Sequence, residues 1–345
     1  MSASSESEKL FYNAVWSAVD CSHREIAKLK SGADTWEEVF KKLGKSGTPD
    51  PETEWIKLEK SGVRFIFSEE PHFPELLREI YWPPFGIYVK GEIEFLKKQA
   101  VAVVGTRKAT EESLEIARRF GREFAQAGMA VVSGLAFGID SRAHKGCIDA
   151  NGKTAAVLAR GLDGIYPKSN ERLADEVLSA GGALISEYPP GVPPLPYRFI
   201  ERNRLVSGLS LGVVVIEVPE SSGALATARF ASEQNREVFV VPGPAEHRNF
   251  FGSHRLIRSG ARLVTKPSEV LEDLNIIEPS EGIRAGETPE EKIISGILEN
   301  SPVPLGIDKI AEMAELESRV VNQALTLLLL KNEVKEEGEG YIIKN

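Results

Sequence analysis

The sequence predicts an α/β protein with a doubly wound sheet, and three observations carry that class. From residue 99 onward, short β-branched runs alternate with amphipathic stretches of helical length. The first of those helices carries a start signal, Thr110 as N-cap with Glu111 and Glu112 in the positively polarised first turn, and a stop at Gly128. At 345 residues and 42% apolar, the chain is long enough to bury one sizeable core with smaller domains beside it.

In order along the chain, residues 1–62 lack the strand-helix alternation and predict a small helical domain. A segment rich in aromatic residues and proline follows, including PHFPELLREIYWPPFGIYVKG. The expected strands are 100–105, 130–134, 154–159, 183–186, 212–218, 237–241 and a short 262–264. Residues 276–288 have linker composition. Beyond them, helical patterns at 290–299, 307–314 and 318–331 precede two short strand-like runs around Gly338 and Gly340, the order of a winged helix. The expected domains are therefore 1–62, 63–275 and 289–345, joined at 276–288.

Composition excludes some classes. The longest uncharged run, residues 124–139, is too short for a membrane span of about 20 residues, and the polar N-terminus lacks an apolar signal core, so no membrane partner and a cytoplasmic location are expected. Cys21 and Cys147 have no disulfide or zinc spacing, and the five histidines form no metal motif, so no metal is expected. The net charge of −9 argues against a nucleic-acid partner until it is divided: residues 101–275 carry 21 basic and 20 acidic side chains, whereas residues 276–345 carry 7 and 14. The acidity lies in the flanks.

Two literal motif matches carry no chemistry. GCIDANGKT has five residues rather than four between Gly146 and Gly152 and leads from helix into strand, the reverse of a P-loop. Gly208 to Gly212 fits G-x-S-x-G, but the expected helix precedes Ser210 and the strand follows it, which is not a nucleophile elbow. No catalytic residue is assigned.

The candidate site is an anion site. VAVVGTRKAT opens as a nucleotide-binding strand would, yet after Gly105 it offers Thr106, Arg107 and Lys108 in place of the glycines of a dinucleotide fingerprint. The second strand ends in Ser133-Gly134-Leu135-Ala136-Phe137-Gly138, and the third leads to Tyr166-Pro167-Lys168. In open α/β sheets such strand ends share one rim with helix N-termini, and cations there oppose the dipole unless an anion sits between. The alternative for Arg107 is a surface ion pair, and for Lys168 a solvated helix start. Then PPGVPPLP makes a stiff rim before Tyr197, Arg198, Phe199, Ile200, Glu201, Arg202, Asn203 and Arg204. Aromatics interleaved with arginines suit unpaired bases and their phosphates, each stacked base being worth about 1–3 kcal/mol. Against this stands a plainer assignment, Phe199 in the core and Arg202 paired with Glu201.

These blocks resemble one family. VAVVGTRKAT, VVSGLAFGIDSRAH, GLDGIYPKSN, FIERNRLVSGLS, SGALATARFASEQNREVFVVPG and GSHRLIRSGA are similar, in order, to the motifs of the DNA-processing protein A family, also called DprA or Smf. The resemblance implies an extended Rossmann-like fold with a SAM-like helical head and a winged-helix tail. It also implies a homodimer that binds single-stranded DNA without sequence preference and loads RecA onto it during DNA uptake, without catalysis or a cofactor. Together with the loops above, it points to Arg107, Lys108, Ser133, Gly134, Lys168, Phe199, Arg202, Asn203 and Arg204 as DNA contacts, and by analogy to the region 250–262 for the dimer. His254 departs from the family's usual asparagine. The acidic tail, with only Arg319 and Lys331 on its third helix, suits a protein contact or regulation better than duplex DNA.

The competing expectation is a nucleotide-binding or nucleotide-hydrolysing relative of the lysine-decarboxylase-like phosphoribohydrolases, whose signature is P-G-G-x-G-T-x-x-E. The corresponding run from Pro219 has Thr227 where that signature has its catalytic glutamate.

Overall fold

The structure, a computed structural model, describes residues 3–19, 22–44, 49–97, 99–276, 289–301, 303–330, 333–338 and 340–344. The chain divides into two compact units, Met1–Ile276 and Ile277–Asn345. Apart from Ile276, the expected linker 276–288 lies outside the described residues, as does Cys21.

The first unit contains a nine-stranded sheet. Its strands are β1 (Arg64–Phe67), β2 (Gly86–Gly91), β3 (Ala100–Val104), β4 (Ala130–Ser133), β5 (Thr154–Leu158), β6 (Ala183–Ser186), β7 (Gly212–Val215), β8 (Glu237–Val240) and β9 (Arg262–Leu263), in the spatial order β1-β2-β6-β5-β4-β3-β7-β8-β9. From β6 to β9 all pairs are parallel, whereas β2 joins β6, and β1 joins β2, antiparallel. The seven expected strands form the parallel part. Strands β1 and β2 lie inside the proline-rich segment and extend the sheet beyond what the alternation indicated.

Helices α1 (Ala3–Ala18), α2 (His23–Lys30), α3 (Trp36–Leu43), α4 (Pro51–Lys60), α5 (Glu75–Arg78), α6 (Glu111–Gln126), α7 (Ile139–Asp149), α8 (Glu171–Ser179), α9 (Pro196–Gly208), α10 (Ala224–Glu233), α11 (Phe251–Arg258) and α12 (Pro267–Asp273) cover it. Alternate strand residues face opposite sides. Ala102, Val104, Val132 and Val215 meet Leu77 of α5, Val206 of α9 and Ala228 of α10, while Val101, Val103 and Val131 meet Phe120 of α6 and Ala143 of α7. Helices α6 and α7 touch backbone to backbone at glycine: a Cβ on Gly146 would lie 1.9 Å from the Arg118 carbonyl oxygen. The P-loop-like run is thus a packed helix end, and its Gly152 amide closes a turn onto the Cys147 carbonyl at 2.9 Å.

The N-terminal helices share an apolar cluster with the sheet. Tyr12 and Trp16 of α1, Ile26 of α2 and Trp36 of α3 pack with Phe65, Tyr88, Ala156 and Leu184. Tyr88 donates a 3.0 Å hydrogen bond to Asn13, and Lys9 pairs with Glu70 at 2.8 Å.

The second unit has helices α13 (Pro289–Glu299), α14 (Ile307–Ala314) and α15 (Ser318–Leu330), followed by β10 (Val334–Glu337) and β11 (Gly340–Ile343), which pair antiparallel. Ile294, Ile310, Val321, Leu325 and Val334 form its core. A bridge from Leu305 to Tyr341 ties the segment before α14 to the hairpin.

Candidate functional site

The chain runs outward from β3 through β4 and β5 to β6, then crosses back to β7 on the other side of β3. The carboxyl ends of β3 and β7 therefore flank the switch point, where open α/β sheets bind ligands. A cavity of about 580 Å³ opens there. Its walls include Thr106, Arg107 and Lys108 after β3, Gly134, Ala136 and Asp140 after β4, Tyr166, Phe199, Ile200, Arg202 and Asn203 of the third loop and α9, and Pro219, Gly223 and Thr227 after β7. Helices α7, α9 and α10 start beside it at Gly138, Leu195 and Gly223 without a side-chain cap, so their first-turn N–H groups add positive potential.

The first loop requires glycine at its root, because a Cβ on Gly105 would lie 2.5 Å from Ile139 and 2.9 Å from the Glu217 carbonyl oxygen. Arg107 and Lys108 are exposed. Among the described residues no carboxylate lies within 4.0 Å of either, nor of Lys168, so the ion-pair alternative does not hold for Arg107. The Arg107 guanidinium sits 5.3 Å from the centre of the Phe199 ring, and Phe199 meets Tyr166 edge-on at 5.4 Å. Phe199 is half-buried, forming a ledge on the cavity wall.

Beneath this ledge lies a buried charge. Arg202 donates to the carbonyls of Gly134 (2.8 Å) and Val157, and through Nε to the Asn203 side chain (3.2 Å). The expected alternative partner, Glu201, instead accepts from the Tyr188 hydroxyl at 2.9 Å. Burial lowers the Arg202 pKa to about 10; Asp140 partly offsets that, and Arg107 lowers it further. Burial likewise raises the Asp140 pKa, opposed by Arg202 and by the amides of Ala136 and Gly134. Asp140 thus offsets the buried Arg202, while Arg107 adds a second positive charge on the cavity wall.

The other expected contacts divide. Gly134 lines the cavity, and a Cβ on it would collide with the Arg202 guanidinium at 2.6 Å. Asn203 also lines it, while its amide donates to the Gly223 carbonyl at 3.1 Å. Ser133 does not face the cavity: it is buried and its hydroxyl donates to the Val103 carbonyl at 2.7 Å. Lys168 is exposed outside the cavity walls, on a 3-10 turn (Lys168–Asn170).

Arg204 is a correction. Two residues along a helix is about 200° of rotation, so Arg204 points away from Arg202. It is 1% exposed, and its Nη2 donates to both oxygens of Glu187 at 2.7 Å. His23 of α2 approaches the same carboxylate at 2.7 Å. Burial raises the Glu187 pKa, but Arg204 and His23 outweigh it and hold the group at about 2. Arg204 is committed to this buried pair and stands apart from the cavity walls, which argues against the expected DNA contact.

Several residues of the site carried no signal in the sequence. Asn170 donates to the Leu135 carbonyl (2.8 Å) and to Ser141 (3.0 Å), tying the third loop to the second. Leu135 itself is left-handed at φ 56°, a cost the loop bears beside the cavity. Glu217 and Asn249 hold the first loop from below. Their partners lie 107 and 141 residues away, and only a lone acid ending the apolar run GVVVIE hinted at Glu217.

The remaining candidates are packed groups. His144 contacts Thr154 at 2.6 Å, its pKa lowered to about 3 by burial and by Arg202, and burial pushes the Cys147 thiol up to about 12. Ser210 donates to the Val206 carbonyl at 2.9 Å. His254 contacts the Gly243 carbonyl at 3.1 Å, which gives the residue at that family position a local role. The segment beginning at Pro219 does line the cavity, with Thr227 buried at the place of the hydrolase glutamate.

Comparison with known proteins gives a consistent picture. The family described as DNA recombination-mediator protein A matches residues 64–275. Protein Smf of Escherichia coli (strain K12) is 44% identical over 217 residues, which is 63% of this chain and 58% of that protein. Protein Smf of Synechocystis is 37% identical over 242 residues, 69% of this chain and 59% of that protein. The chain thus spans less than two thirds of these relatives. Among solved structures, DprA of Streptococcus pneumoniae aligns with a TM-score of 0.64 at 31% identity, over 76% of this chain and 97% of that one. DNA processing protein A of Helicobacter pylori, described for its single-stranded DNA binding mode, aligns at 0.56 and 28%, over 62% and 97%. No described helix is long and apolar enough to cross a membrane.

Proposed function

The chain belongs to the DNA recombination-mediator protein A family, and from that membership we propose that it binds single-stranded DNA without sequence preference at the β3/β7 switch point. Arg107, Lys108 and Lys168 contact phosphates, and Phe199, with Tyr166 at its edge, stacks a base. The observation that carries this reading is Arg107, without a carboxylate partner among the described residues, poised over the Phe199 ring beside a buried arginine that its charge disfavours. A phosphate there relieves both positive charges, and an aromatic ledge beside a phosphate site suits an unpaired nucleotide.

Further parts of the proposal rest on the family resemblance. The protein acts as a homodimer in the cytoplasm and delivers the bound strand to RecA during DNA uptake, without catalysis. The second unit is a winged helix that serves protein contact or regulation. Its third helix supports this, with Asn322, Gln323, Thr326, Leu327 and Leu329 exposed and Arg319 as its one exposed cation among the described side chains.

Fluorescence anisotropy with a labelled oligo-dT and a duplex of equal length, at two salt concentrations, tests the reading. Tighter binding of the single strand and a steep salt dependence are expected. Equal binding of the duplex contradicts the proposal. Displacement of the strand by mononucleotides at micromolar concentration favours the nucleotide-binding alternative, for which the observation in hand is that the segment from Pro219 to Thr227 lines the cavity.

A further inference from the structure

We propose that Glu217 and Asn249 are positioning residues that lock the cation-bearing loop into its binding geometry before any strand arrives; this rests on the function proposed above. Glu217 is fully buried. Its Oε2 accepts both the amide (3.0 Å) and the hydroxyl (2.8 Å) of Thr110, and its main-chain oxygen accepts the Thr106 amide at 2.8 Å. Oε1 accepts from the Asn249 side-chain amide, which also donates to the Lys108 carbonyl at 3.2 Å. The loop over residues 105–110 is thereby held at its start, middle and end.

The choice of partners gives the arrangement its meaning. A buried carboxylate is expensive unless its charge is met, and the cheapest partner nearby would be Arg107 or Lys108. Glu217 is instead satisfied by neutral donors, and among the described residues no cation lies within 4.0 Å of it. The Thr110 amide and hydroxyl and the Asn249 side chain supply the hydrogen bonds, so the loop's two cations stay outside and available. A loop already fixed has little conformational freedom left to lose on binding.

The clamp also reaches across the fold. Asn249 lies in the 3-10 turn Arg248–Phe250 at the start of α11, and that helix is fastened to the end of β7 by the Ser253 amide to the Val218 carbonyl (3.2 Å) and the Val218 amide to the Ser253 hydroxyl (3.3 Å). The position of Arg107 and Lys108 depends in this way on a helix start far along the chain.

The test uses the full chain. Asn249→Ala is expected to weaken oligo-dT binding about tenfold, the effect of losing one hydrogen bond to a carboxylate and one to a carbonyl. In an Arg107→Ala/Lys108→Ala background the same change is expected to alter affinity less than about twofold, because the clamp acts only through those cations. Equal loss in both backgrounds, or no loss in either, overturns the proposal. Hydrogen exchange at the Thr106 and Thr110 amides reads the clamp without DNA: faster exchange there in Asn249→Ala, with β4 unchanged, is expected, and unchanged exchange overturns it. A wild type that ignores oligo-dT refutes the proposed function, and the exchange result then decides the clamp alone. Should Asn249→Ala fail to fold, Thr110→Val removes the hydroxyl bond to Glu217 together with the helix-cap bond that the Ser113 amide makes to the same hydroxyl. It must weaken binding, with Thr110→Ser restoring it, for the proposal to stand.

Discussion

Replacing Arg107 with alanine separates phosphate contact from every other role this residue could have. The side chain is exposed and has no carboxylate partner among the described residues, so the fold should change in stability by no more than about 0.5 kcal/mol. The lost cation over the Phe199 ring and the removal of a like charge from beside the buried Arg202 act in opposite directions, which keeps any shift small. For single-stranded DNA each phosphate contact contributes about 0.7 to the slope of log affinity against log salt. Losing one contact should flatten the slope by that amount. Between about 50 and 200 mM salt, a fourfold change, the wild-type advantage then shrinks by roughly 2.6-fold. A salt-independent loss of about 0.5–1 kcal/mol is expected in addition, from the lost cation over the Phe199 ring. Anisotropy titrations at four salt concentrations, with thermal melts as a control on folding, measure both components. Parallel log–log lines for wild type and variant would refute direct phosphate contact by Arg107, whatever the difference in affinity.

Two further changes probe the stack and the buried pair. Phe199→Ala should weaken oligo-dT binding by about 1–3 kcal/mol with the salt slope unchanged, and a flattened slope in the same titrations would show that the ring acts only by propping the cation loop. Arg204→Ala should destabilise the fold by about 3–5 kcal/mol in urea melts, because Glu187 is left buried with His23 alone, while the folded protein keeps its salt slope; a reduced slope would return Arg204 to the DNA contacts. The pair also carries a pH signature. Glu187 titrates at about 2 in the fold against an ordinary 4.5, so its contribution, on the order of 3 kcal/mol, is fully present above pH 4.5 and is lost as the pH falls toward 2. The stability gap between wild type and Glu187→Gln should narrow over that interval, and a constant gap contradicts the assignment.

The parallel half of the sheet was legible because its strands are short apolar runs set off by helices with clear punctuation, Thr110 at one start and Gly128 at one stop. Strands β1 and β2 were not, since antiparallel pairing onto β6 is decided by tertiary contact and the Trp-Pro-Pro interruption hides the approach to Gly86. The cation loop and the Phe199 ledge could be read because residue types alone suggest their chemistry. Arg204 could not. It follows Arg202 by two positions, which looks like one basic cluster in a string of letters and becomes two opposite faces once α9 forms. Its partner Glu187 lies 17 residues earlier, at the end of a strand whose place in the sheet no local pattern gives. The same blindness covers Glu217 and Asn249, whose importance resides wholly in what they touch.

His23 belongs to α2, yet its imidazole closes on a carboxylate rooted at the end of β6, while Tyr12, Trp16 and Ile26 share an apolar layer with Phe65 and Tyr88. Severing the chain after residue 62 would therefore cut through a continuous interior, baring aromatic surface on the sheet and abandoning half of a desolvated charge cluster. The helical head and the sheet are bound to melt as one cooperative block. A change of side-chain volume on either face of this layer should therefore be felt by the other.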